Sequence, residues 1–235
     1  MVRASLVTTV ADALLDDIVA GVLEVGSELP SEAELAEQHD VSRVTMREAL
    51  KRLQGLGVLD VRRGKRGSVA PLALWTDLAS ILRVTARGAD PGVTELQLIE
   101  VREMIESGAA ALAAVRRSDA DLEELERLLS LQRAAHDADD VAAFVEADIA
   151  FHDVILRATG NVFVGTVFAP LSRVMREKRA QTSAIERIQR RAIAKHAAVL
   201  EAVRAGEPEG ARRAMADHMK QTADDFREHV LPTLR

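Results

Sequence analysis

From Thr94 to Val230 the apolar residues recur every third or fourth position, and no stretch alternates convincingly as a strand would. That feature confines the second half of the chain to helices packed on helices, because only a 3.6-residue repeat keeps such positions on one face. A capping box from Thr94 to Gln97 predicts a helix running to about Arg116. Ser118 starts the next, with Leu122, Leu125 and Leu129, and Asp139 starts a third that ends near Ala158 and Thr159-Gly160-Asn161. Val162 to Arg179, Ser183 to Ala205 and Pro208 to Val230 complete the stretch. A shorter helix, Thr76 to Arg87, precedes them and is closed by Gly88 and Pro91-Gly92. The expectation is a mainly α chain whose larger part, residues 92–235, is an all-α antiparallel bundle.

The first 70 residues follow other rules. Leu6, Val10, Leu14 and Ile18 make a helix that Gly21 ends, and Ser31 with Glu34 is a capping box for a second that runs to about His39. Ser42 caps a third. Along it Met46, Ala49, Leu50 and Leu53 share one side, while Arg43, Arg47, Lys51 and Gln54 share another. Two short strands, Val58 to Arg62 and Ser68 to Ala70, flank the glycine-bounded basic turn Arg63-Gly64-Lys65-Arg66-Gly67. Three short helices and a basic hairpin outline a winged helix-turn-helix over residues 1–70, with residues 71–91 as a linker and the first helix of the effector domain, Thr76 to Arg87.

Charge separates the two parts. The chain totals −6, which by itself argues against nucleic acid. Between Val41 and Arg66, however, eight Lys and Arg stand against only Glu48 and Asp60, a net of +6. An α-helix fits the major groove of duplex DNA, and an arginine near its N-terminus can grip guanine O6 and N7 bidentately. With Tyr 0, Trp 1 and Phe 5, the chain lacks the rings that a single-strand stacking surface needs. Cys at 0 removes thiolate ligands and thiol nucleophiles, so any metal site must use His and carboxylates. The longest uncharged stretches, such as Asn161 to Ser172, are far short of a membrane span, and the N-terminus has no apolar signal core, so a cytoplasmic protein is expected.

Leu29-Pro30-Ser31-Glu32, Leu35-Ala36, Val41-Ser42-Arg43-Val44-Thr45-Met46-Arg47-Glu48-Ala49-Leu50 and the ending Arg62-Arg63-Gly64-Lys65-Arg66-Gly67 resemble the DNA-binding domain of the GntR family of bacterial transcription regulators. The resemblance implies that Arg43, Thr45 and Arg47 contact the operator and that the wing, Gly64 and Lys65, reaches its minor groove. Arg66 joins them as a basic wing residue. Ala33 departs from the pattern, since some members carry a DNA-contacting arginine there.

In the helical part, Asp148 and His152 lie four apart on the same face as Val141, Phe144, Val145, Phe151 and Ile155. His196 and His218 lie in the apolar stripes of their own helices. An ionised carboxylate in such a stripe is costly unless paired or bound to a cation. Read by residues alone, these are either satisfied core side chains or metal ligands. Residues 76–235 resemble the FCD effector domain of the FadR subfamily, through Glu100-x-Arg102 with Glu106, Asp148-x-x-x-His152, Asn161, His196 and His218. That resemblance implies that Asp148, His152, His196 and His218 hold a divalent ion. One carboxylate and three imidazoles suit Zn²⁺, Ni²⁺, Fe²⁺ or Mn²⁺. Arg102 is then a bidentate partner for an effector carboxylate, or else an ordinary i+4 partner of Glu106, and Asn161 either faces the pocket or caps a helix.

The expected function is a ligand-responsive repressor that binds double-stranded operator DNA as a homodimer and senses a small organic acid. The alternative is a metal-dependent enzyme acting on such an acid, since an Asp/His set with open positions is also how such enzymes are built.

Overall fold

The computed structural model describes residues 5–61, 66–86 and 91–234. The chain divides into two compact units, residues 1–91 and 92–235. In the first, α1 (Leu6–Val19), α2 (Glu32–Gln38) and α3 (Arg43–Gly55) start where side-chain oxygens supply their caps. Ser5 accepts from Thr8 N, Ser42 accepts from Thr45 N, and Ser31 and Glu34 form the expected capping box. The buried stripes, Val10, Leu14 and Ile18 on α1 and Met46, Ala49 and Leu53 on α3, meet Leu35, Val58, Val69 and Trp75 in one core.

β1 (Leu59–Asp60) pairs antiparallel with β2 (Ser68–Val69), Leu59 opposite Val69 and Asp60 opposite Ser68. Both strands are shorter than the sequence suggests. A third segment shares the hairpin: Gly26 N donates to Val69 O at 2.8 Å and Leu29 N to Gly67 O at 2.7 Å. No alternation announces it: Leu23 and Leu29 are buried in the core, but Val25 between them is exposed, and the segment's pairing depends on β2. Gly57 shows why the turn after α3 needs glycine. Its φ is +74°, and a Cβ there would stand 2.3 Å from Leu74 O.

α4 (Leu78–Ala86) falls in this first unit and packs on α1. The resemblance over residues 76–235 implies that this helix opens the second domain, and the structure differs. Ile81 and Val84 rest against the first core, and Arg83 Nη2 donates to Asp16 Oδ1 at 2.6 Å. Its apolar face is completed by α1.

The second unit holds α5 (Pro91–Arg116), α6 (Asp119–Asp137), α7 (Val141–Ala158), α8 (Val162–Ser183), α9 (Glu186–Ala205) and α10 (Pro208–Asp225), which continues into a π turn, Phe226–Val230. α5 begins at Pro91, not at a Thr94 cap, because proline's fixed φ and missing N–H suit a first helical position. The cap of α7 is Asp140, which accepts from Ala143 N, while Asp139 takes the left-handed φ of 54°. Between α8 and α9 the break falls at residues 184–185, later than expected, and Gln189 Nε2 donates to Ser183 O at 2.6 Å across it. α6 packs on both α7 and α9, α7 on α8, and α9 on α10. Among the described residues, no helix is long and apolar enough to cross a membrane.

Candidate functional site

Each unit presents one candidate. On α3 the buried stripe turns the opposite face outward, leaving Arg43 and Arg47 exposed in the first turns. Thr45 is half-buried, its Oγ1 2.9 Å from Ser42 Oγ. Arg47 is held sideways: Nε and Nη2 both reach Glu32 Oε2, at 3.0 and 2.9 Å. Arg66 is exposed beside β2 and, with Arg47, Lys51, Gln54 and Glu32, lines a cleft of about 430 Å³ between α3 and the hairpin. The basic stripe and this end of the wing therefore share one side. Gly64 and Lys65 lie outside the described residues.

In the second unit three helices converge. His152 on α7, His196 on α9 and His218 on α10 are all buried. Their Nε2 atoms form a triangle with edges of 3.3 Å (152–196), 3.1 Å (196–218) and 3.4 Å (152–218). Ligands about 2.0–2.1 Å from a common ion, at angles between octahedral and tetrahedral, stand roughly 2.8–3.4 Å apart. The triangle fits an ion at its centre. Asp148, the fourth expected ligand, stands beside the triangle and not in the group of atoms that converge, with Oδ1 3.6 Å from His196 Nε2 and Oδ2 paired with Arg179 Nη1.

The electrostatics favour neutral rings at His196 and His218 and ionised acids at Glu106 and Asp148. Burial pushes His196 down to about 3 against the attraction of Asp148, and burial followed by the other two rings pushes His218 well below 6.5. Burial raises Glu106 and Asp148, but Arg102 and His152 outweigh it at Glu106, and Arg179, His152 and His196 outweigh it at Asp148. Both carboxyls end below their usual range. A neutral imidazole and a carboxylate are the forms a metal ion requires.

Beside the triangle lies a small cavity of about 40 Å³, lined by Arg102, Asp148, Arg179, His218, Gln221 and Thr222 among others. Three of its residues carry buried polar atoms with no hydrogen-bond partner among the described residues: Arg179 Nε, His218 Nδ1 and Gln221 Oε1. Arg102 donates from Nε to Glu106 Oε1 at 2.7 Å, the i+4 pairing, and its side chain also borders this cavity. Asn161 does not line it. It is exposed, and its Oδ1 accepts from Phe163 N at 3.0 Å, capping α8. A side chain spent on the first turn of α8 is unavailable to a pocket. Sequence reasoning missed Arg179, Gln132 and Gln221. Only their spacing from other polar residues on long helices could have drawn attention to them, and that signal is shared by many surface residues.

The chain matches two family models, "Bacterial regulatory proteins, gntR family" over residues 6–69 and "FCD domain" over residues 97–221. An uncharacterized HTH-type transcriptional regulator of Mycobacterium tuberculosis is 34% identical over 161 residues, covering 68% of this chain and 63% of that protein. A putative L-lactate dehydrogenase operon regulatory protein of Escherichia coli K12 is 31% identical over 202 residues, 84% of this chain and 77% of its own. Among solved structures, Streptococcus agalactiae GntR is 27% identical with a TM-score of 0.52, covering 93% of this chain and 99% of that one. None of these similarities supports the enzyme alternative. With both models matched in order and a regulator aligned over most of its length, this chain belongs to the GntR family of bacterial regulatory proteins, DNA-binding regulators of transcription, and carries an FCD domain as its second half.

Proposed function

We propose that this regulator is a repressor of the FadR subfamily that acts in the cytoplasm as a homodimer on operator DNA and is released by a small organic acid bound at a metal ion. The observation that carries the sensing half is the convergence of three buried Nε2 atoms within 3.1–3.4 Å of one another, with a carboxylate oxygen at 3.6 Å. His152, His196, His218 and Asp148 would hold Zn²⁺, Ni²⁺, Fe²⁺ or Mn²⁺, which supplies open coordination positions for an acid's oxygens. The orphaned Arg179 Nε and the adjacent Arg102 supply the matching positive charge, and the cavity's small size favours a small acid. The Escherichia coli relative is named for an L-lactate dehydrogenase operon, and lactate is an acid of that kind.

Arg43, Thr45 and Arg47 would read the major groove, and Gly64, Lys65 and Arg66 would follow the adjacent minor groove. A symmetric operator calls for a symmetric protein, which is the reason for the dimer. The ligating side chains come from three helices, so filling their shared centre shifts how those helices pack. The acid can move the DNA equilibrium only through its different affinity for the bound and released forms.

Titration of labelled operator with metal-loaded protein and a panel of hydroxy, keto, dicarboxylic and sugar acids tests this. At least one acid should weaken operator binding, and operator should weaken that acid's binding by the same factor. Arg102→Lys and Arg179→Lys should keep the charge and lose much of the response, since ammonium cannot reproduce the fork. A panel in which every acid that binds leaves operator affinity unchanged would overturn the reading.

A further inference from the structure

Each of the three imidazoles that face one another has a second ring nitrogen, and the three are supported differently. His152 Nδ1 meets the carboxylate of Glu106, while His218 Nδ1 has no partner among the described residues. His196 Nδ1 lies 2.8 Å from the amide oxygen of Gln132, on α6. α6 supplies none of the three rings and none of the residues that line the adjacent cavity.

Gln132 is fully buried, and its orientation is determined by what surrounds it. Its Nε2 donates to Ala147 O at 3.3 Å on α7, one residue before Asp148. Turned over, the amide would set its oxygen against that carbonyl and its NH₂ against the ring. The amide oxygen therefore faces His196. An amide oxygen only accepts, so the proton of the neutral ring sits on Nδ1, and Nε2 carries a bare lone pair aimed at the other two rings. In free neutral histidine the proton prefers Nε2, so the buried amide selects the less common tautomer.

We infer that Gln132 is a positioning residue for the metal centre: bridging the α7 backbone beside Asp148 to the ring of His196 on α9, it presets His196 with its Nε2 free to ligate. The inference rests on the metal reading above for its purpose, but its first test does not. Partners behind a ligating histidine orient the ring and set its basicity, and their loss typically costs about 10- to 100-fold in metal affinity.

Imidazole nitrogen NMR on the metal-free, full-length chain measures the tautomer directly. His196 is expected with the proton on Nδ1. In Gln132→Met, which keeps the volume and loses the acceptor, the Nε2–H form should gain, and zinc affinity by chelator competition should drop about 10- to 100-fold. Gln132→Glu, which keeps an acceptor, should hold the Nδ1–H form and most of the affinity. An Nε2–H ring in the metal-free wild type would overturn the inference, whatever the variants do. So would a Gln132→Met protein that folds and binds zinc as tightly as wild type. If the tautomer switches as expected but no variant, wild type included, binds zinc, the preset ring stands and it is the metal reading that fails.

Discussion

Both units hold an arginine against a glutamate at hydrogen-bond distance, and the two pairs have opposite consequences. In the first unit Arg47 and Glu32 meet at 2.9 Å with side chains 56% and 44% exposed. In the second, Arg102 and Glu106 meet at 2.7 Å with side chains 3% and 1% exposed. Water screens the first pair, so it is cheap to break and Arg47 can exchange Glu32 for another partner, as the proposed DNA contact requires. The second pair has lost its water, so neither member can leave without stranding a charge in the interior. The same two residue types make an adjustable contact surface in one place and a fixed electrostatic frame in the other. A DNA-reading surface needs the first property and a preset binding centre needs the second.

The largest expected effect tests the fixed frame. Glu106→Leu should destabilise the protein by about 3–5 kcal/mol in denaturant unfolding, because Arg102 is left unpaired. The double variant Arg102→Met, Glu106→Leu should recover part of that loss, since the Arg102 charge then goes too while His152 Nδ1 stays without its carboxylate. Glu32→Gln, by contrast, should leave unfolding unchanged within error. If it destabilises the fold as much as Glu106→Leu does, the contrast between the pairs is void.

Metal removal comes next. An ion that binds only the folded form adds about 2.7 kcal/mol when free metal is a hundred times Kd. The chain's single tryptophan, Trp75, is buried in the first unit and reports on it alone. Chelation should therefore lower the melting transition followed by helical circular dichroism more than the one followed by Trp75 fluorescence. His196→Ala with His218→Ala should abolish the difference and the bound metal together. Equal shifts at both probes would mean the ion does not belong to the helical unit.

Smaller effects concern the exposed side. Arg43→Ala and Arg47→Ala should each weaken specific operator binding roughly 10- to 100-fold if they contact bases, with little change on random DNA. Arg66→Ala should act least specifically, lowering affinity for all sequences alike and reducing the salt slope by about 1. An unchanged operator affinity in both α3 variants would remove the adjustable half of the comparison.

How much of this was legible in the sequence follows the same division. The caps at Ser31, Ser42 and Ser118, the apolar stripes and the basic stripe of α3 are set by residues within a few positions of one another, and the structure realises them. Where a local signal had a stronger competitor it failed. Proline at Pro91 displaced the Thr94 box, and Asp140 rather than Asp139 caps α7. At Asn161, where the sequence allowed either a pocket-facing or a capping role, the side chain is used by its own helix.

The sequence by itself determined which residues lie on which face of each helix, because helical periodicity is local and 3.6 residues make a turn whatever packs outside it. It therefore put Asp148, His152, His196 and His218 on buried faces. Only the tertiary structure decided that three of those rings meet at 3.1–3.4 Å, that Arg179 holds Asp148, and that Gln132 stands behind His196. Those partners come from α6 to α10, separated by 22 to 66 residues. The distance between side chains on different helices is set by how the helices cross and in what register, and that depends on the whole core at once.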